Sequence, residues 1–107
     1  MNDSDFSAVV QRRIKMILES LDVKAKEYAR GDRLHNFKRA ADLKQETPEK
    51  ALIGFWTKHL VSLLDMVDDL DRGVNHPAKL WDEKITDAVN YLVLLEALIV
   101  ERGQRDK

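Results

Sequence analysis

Apolar residues recur at three- and four-residue steps along most of this chain. Between about Asp5 and Tyr28, the positions Phe6, Val10, Ile14, Ile17, Leu21, Ala25 and Tyr28 fall on one face of an α-helix. Gly31, just past the last periodic residue, supplies a left-handed stop. A short helix fits from about His35 to Leu43, carrying Phe37, Ala40, Ala41 and Leu43. Thr47-Pro48-Glu49 then reads as a helix start, with Thr47 as N-cap and Pro48 at the first helical position. Leu52, Phe55, Trp56, Leu60, Leu63, Met66, Val67 and Leu70 continue the period for about six turns. Gly73, Asn75 and Pro77 mark a loop from Asp71 to Pro77, and a last helix is predicted from about Ala78 to Arg102, stopped near Gly103. Residues 103–107 are expected to fray.

Three long helices and one short one predict an all-α fold, an antiparallel helical bundle forming a single domain over 1–107. In the last helix, nine of the ten residues from Tyr91 to Val100 are apolar, Glu96 being the exception. A small bundle cannot cover such a segment on all sides, so a homo-oligomer, dimer or tetramer, is expected.

The 107 residues contain no cysteine, which excludes disulfides, thiolate metal sites and cysteine nucleophiles. The acidic, polar start at Met1-Asn2-Asp3-Ser4-Asp5 does not resemble a signal segment, and no apolar run is long enough to span a bilayer. A cytoplasmic protein without membrane contact is therefore expected. The net charge of −1 gives no bulk attraction to nucleic acid. Its distribution is uneven: Lys24 to Lys50 holds eight basic against five acidic residues, and Asp65 to Asp87 holds seven acidic against three basic.

Three groups could carry chemistry. On the last helix, Glu83, Asp87 and Asn90 share one side and offer oxygen ligands suited to a hard cation such as Mg²⁺. Acids in a first helical turn also serve the helix dipole without further function. On the central helix, Asp65 with Asp68 and Asp69 forms a second acidic group, preceded by Lys58, His59 and Ser62. His59 lacks a second histidine at ligand spacing, so it fits a core or lining role better than zinc binding. The third group is Lys24, Arg33, Lys38 and Arg39, whose cationic heads could pair with phosphate oxygens. Such a basic stretch is also an ordinary solvated face, and nucleic-acid binding through it is the weakest reading.

The Lys-x-x-acid-Tyr end of the first helix (Lys24, Glu27, Tyr28), Lys58 on the central helix, and the acid-acid-x-x-x-Asp-x-x-x-Tyr opening of the last helix (Asp82, Glu83, Asp87, Tyr91) form a combined pattern. From about Val23 to Glu101 this pattern resembles the phage nucleotide modification associated domain 1, which is similar to the all-α NTP pyrophosphohydrolase (MazG-like) superfamily. The resemblance implies a Mg²⁺-dependent nucleoside triphosphate pyrophosphohydrolase, or a nucleotide-binding relative, of phage or prophage origin that works as a homo-oligomer. It implies Glu83 and Asp87 as metal ligands with Glu27 as a third, Asp65 and Asn90 as additional metal or polar contacts, and Lys24, Lys58, Arg33 and Lys38 at the nucleotide phosphates. Where that superfamily carries a Glu-Glu-x-x-Glu run, this central helix has no glutamate after Glu49. The alternative reading is a non-catalytic helical assembly protein that oligomerises through its last helix.

Overall fold

The computed structural model describes residues 1–25 and 31–105, with residues 23–25 and 105 described by backbone alone. Four helices account for nearly all of them: α1 (Asp3–Ala25), α2 (His35–Lys44), α3 (Pro48–Asp71) and α4 (Ala78–Arg105). Among the described residues there is no strand. The expected three long helices and one short helix are thus present.

Local chemistry sets the boundaries. Asn2 starts α1 earlier than the apolar period suggests, because its Oδ1 accepts the Asp5 N–H at 2.8 Å. At α3, Thr47 Oγ1 accepts the Lys50 N–H at 3.2 Å and Pro48 follows at the first helical position. Gly73, at φ 78°, ends α3: its N–H bonds Leu70 O at 3.0 Å while Val74 N–H bonds Asp69 O at 2.9 Å, a Schellman closure. Gly103, expected to stop α4, does not. The helix runs on to Arg105, since Arg102 grips Glu49 of α3 through bonds of 2.7 and 2.6 Å and holds the last turns against the bundle. One exposed helical glycine costs only about 1 kcal/mol against that anchor.

α3 and α4 form an antiparallel hairpin, with Glu49 opposite Arg102 at one end and His59 opposite Asp87 nearer the other. α2 folds back on α3, and α1 lies on α4. α1 and α4 run in the same sense, because Arg12 meets Asp82 and Ser20 meets Asn90. The long helices are therefore up, down and up, but the bundle is not closed: the backbone of α1 approaches α4 and not α3.

The core is small and sits where α2 covers the hairpin. Leu34, Phe37, Leu52 and Leu98 are buried together, with Phe55, Trp56, Tyr91, Leu94, Leu95 and Ala97 packed around them. Phe37 meets Phe55 and Tyr91 edge to face at 5.9 and 6.0 Å. Much of the remaining apolar surface is uncovered, including Phe6, Ile14 and Leu18 on α1, Leu64 and Val67 on α3, and Leu92 and Val100 on α4. No helix among the described residues is long and apolar enough to cross a membrane.

Leu52 is fully buried at the centre of this cluster. Leu52→Ala is expected to cost about 2–5 kcal/mol through lost burial and the cavity left behind, read as a lower urea midpoint. An unchanged midpoint would mean that this cluster is not the core.

Candidate functional site

α4 turns two different sides to its neighbours. Asp82, Thr86 and Asn90, four residues apart, face α1. Asp82 takes Arg12 through bonds of 2.9 and 2.5 Å, Thr86 Oγ1 accepts from Arg13, and Asn90 Nδ2 donates to Ser20 Oγ at 2.9 Å. Asp87 and Tyr91 face α3, where His59 Nδ1 lies 3.8 Å from Asp87 Oδ2 and the His59 and Tyr91 rings sit 4.8 Å apart. At about 100° per residue, Glu83 falls between these two directions. Among the described residues the backbones of α1 and α3 do not meet, and the side of α4 between its two contacts carries Glu83 and Asp87 with Asn90 beside them. Glu83 is exposed, Asp87 half-buried and Asn90 buried.

The remaining sequence candidates are spread more widely. Lys58 is exposed on α3 next to His59, and Asp65 is exposed two turns further on. Arg33 donates from Nη2 to the Leu21 carbonyl at 2.6 Å, which ties the segment before α2 to α1. Lys38 sits between two carboxylates, Asp32 at 2.8 Å and Glu101 at 2.7 Å. Glu27 and Tyr28 lie outside the described residues, as does the Lys24 side chain. Asp69 accepts from Arg72 and pairs with His76 Nε2 at 2.8 Å, so it clamps the α3–α4 loop. Among the described residues no group of three or more histidines and carboxylates is gathered as a metal site. Glu83 and Asp87 fit Mg²⁺ in the chemistry of their donors, two hard carboxylates a turn apart.

Sequence reasoning did not find the α1–α4 seam. Its signal was the pair Arg12-Arg13 interrupting the apolar period of α1, matched by Asp82, Thr86 and Asn90 at four-residue spacing on α4. Trp56 is legible in the sequence as a periodic apolar position, but the surroundings of its N–H are not. Trp56 Nε1 and Asn90 Oδ1 are both buried without a hydrogen-bond partner. The register that sets His59 against Asp87 brings residues 56 and 90 to the same level of the hairpin. These two atoms, one donor and one acceptor, carry the desolvation cost of unmatched polar groups.

Three carboxylates are held below the ordinary range by their partners: Asp82 by the hydrogen bond from Arg12, Asp69 by His76 and then Arg72, and Asp32 by Lys38 and the Leu34 N–H. Lys38 is correspondingly raised by Asp32 and Glu101.

No protein-family model, curated protein or solved structure compared with the chain matches it.

The depressed carboxylates define an acid response. Each has a folded-state pKa below its unfolded value, so its stabilisation is complete above about pH 4 and is lost as pH falls through the lower folded-state values. The urea midpoint is expected to hold steady from neutrality down to that point and then drop. Asp82→Asn should flatten part of the drop; a variant that follows the wild-type curve throughout would show that the Arg12–Asp82 pair contributes nothing.

Proposed function

We propose that the chain is a nucleotide-binding helical domain that hydrolyses a phosphoanhydride bond of a nucleoside triphosphate with Mg²⁺, acting as a cytoplasmic homo-oligomer. The observation that supports this best is that α4 sets Glu83 and Asp87 one turn apart on the side between its contacts with α1 and α3. Mg²⁺ typically uses one or two protein carboxylates and fills its other positions with water and substrate phosphates, which suits a pair of this kind. When bound, the cation neutralises phosphate charge and makes a coordinated water more acidic. Asp87 is the better placed of the two ligands, since its half-buried position beside His59 and Tyr91 strengthens its interaction with a cation relative to bulk water. Lys58 is exposed on α3, and its place at the phosphates enters through the resemblance. Lys24 and Glu27 enter through the resemblance alone. Arg33 and Lys38 would have to exchange the Leu21 carbonyl, Asp32 and Glu101 for phosphate.

A second reading, a non-catalytic self-assembling helical protein, is favoured by one specific observation. Large apolar side chains stand uncovered on α1, α3 and α4 alike.

Incubation with Mg²⁺ and a panel of ribo- and deoxynucleoside triphosphates separates the two. Pyrophosphate or phosphate release from at least one nucleotide is expected, with a raised Tm when Mg²⁺ and nucleotide are both present. Nucleotide at a hundredfold excess over Kd stabilises by about 2.7 kcal/mol. Asp87→Ala should abolish both effects. Neither release nor a Tm shift with any nucleotide would overturn the nucleotide reading and leave the assembly reading standing.

A further inference from the structure

The attachment of α1 to its own chain is unusual in kind. Its bonds to α4 are polar, from Arg12 and Arg13 to Asp82 and Thr86 and from Asn90 to Ser20. Of its apolar side chains Met16, Ile17 and Leu21 are half-buried, whereas a separate ridge looks elsewhere. Phe6, Val10, Ile14 and Leu18 recur every four residues as a ridge, and they are 60%, 41%, 52% and 64% exposed. An amphipathic helix usually buries its apolar stripe and leaves its charges in water. Here Arg13 points inward, Arg12 reaches Asp82 from an exposed position, and the ridge points out. With Asp82 of α4 taken as the level of Arg12, Ala78 falls at the level of Ala8, so the first turn and a half of α1, with Phe6, extends past the start of α4.

Area bears on what covers the ridge. The chain exposes 7810 Å², whereas a compact folded monomer of its 12.4 kDa exposes about 6,100 Å². Its radius of gyration is 16.4 Å, against about 13 Å for a compact domain of this length. The surplus, about 1,700 Å² per chain, corresponds to about 3,400 Å² for a pair of chains, within the roughly 2,000–5,000 Å² of obligate homodimer interfaces. A surface this apolar also needs a partner that is present whenever the chain is, and a second copy meets that condition without any other gene product.

We infer that a second copy of this chain packs on the Phe6, Val10, Ile14, Leu18 ridge, making α1 an intersubunit arm that is tethered to its own subunit by polar bonds and buried by its partner. This names the interface of the homo-oligomer proposed above and rests on that part of the proposal, without requiring hydrolysis.

Sedimentation equilibrium of the full chain over a dilution series, together with circular dichroism, tests it. The wild type is expected at twice 12.4 kDa, and Ile14→Asp is expected at the monomer mass with the helical signal of α2, α3 and α4 kept. If Ile14→Asp loses that signal, Leu18→Asp takes its place. A wild type that is monomeric throughout overturns the inference, and so does a folded ridge variant that still dimerises. Nucleotide-induced stabilisation of a monomeric wild type would sink the arm while leaving the nucleotide reading intact. A dimer broken by Ile14→Asp and indifferent to every nucleotide would do the reverse.

Discussion

Everything in this molecule depends on α4 serving two neighbours at once. One flank of the helix buries Leu98 against Leu52 and Phe37, and its Tyr91 ring packs near Phe37 and His59. The other flank offers Asp82, Thr86 and Asn90 to α1. The first contact is apolar and supplies the folding energy, because removing that surface from water outweighs the entropy of ordering the hairpin. The second adds hydrogen bonds and ion pairs, whose net contribution is small where water competes, to the half-buried Met16, Ile17 and Leu21 of α1. The hairpin with α2 is consequently the stable unit, and α1 is the element most weakly held by its own chain.

The two flanks also set where the carboxylates lie. A helix that faced α1 and α3 with neighbouring sides would let them meet, and Glu83 would lie under their contact. Their separation leaves Glu83 exposed, with Asp87 at the edge of the apolar flank beside His59. The uneven charge of the sequence takes on a more local meaning as well. Part of the acidic segment is spent on structure, Asp69 in the loop clamp and Asp82 on α1, and Lys38 of the basic segment lies between Asp32 and Glu101. What the two segments leave for a ligand is a handful of groups rather than two opposed surfaces.

The helices themselves were legible because their signals are local. The apolar period, the Thr47-Pro48 start and the Gly73 stop each act within a few residues, and the structure has all of them. The end of α4 was not, since the Arg102–Glu49 pair that carries it past Gly103 joins residues far apart in sequence. For the same reason the polar seam of α1 was hidden: Arg13 sits at the helical phase of the apolar residues, and only the fold supplies Thr86 opposite it. Of the candidate site, the shared side of Glu83, Asp87 and Asn90 could be read from spacing, but not that Asn90 would turn to Ser20 and leave Glu83 and Asp87 between the two contacts of α4. The apolar stretch from Tyr91 to Val100 divides as its composition suggests: Leu98 is buried, while Leu92, Val93, Ile99 and Val100 stand out.

The central claim is that α1 is held by polar bonds to its own chain and by apolar contact to a second copy, while the hairpin stands on its own core. Hydrogen exchange of the backbone amides at several protein concentrations tests it most directly, because exchange reports local opening element by element. The account predicts that protection across α1 rises with concentration while protection at Leu52 and Leu98 does not change. An α1 as protected as the hairpin at every concentration would contradict it.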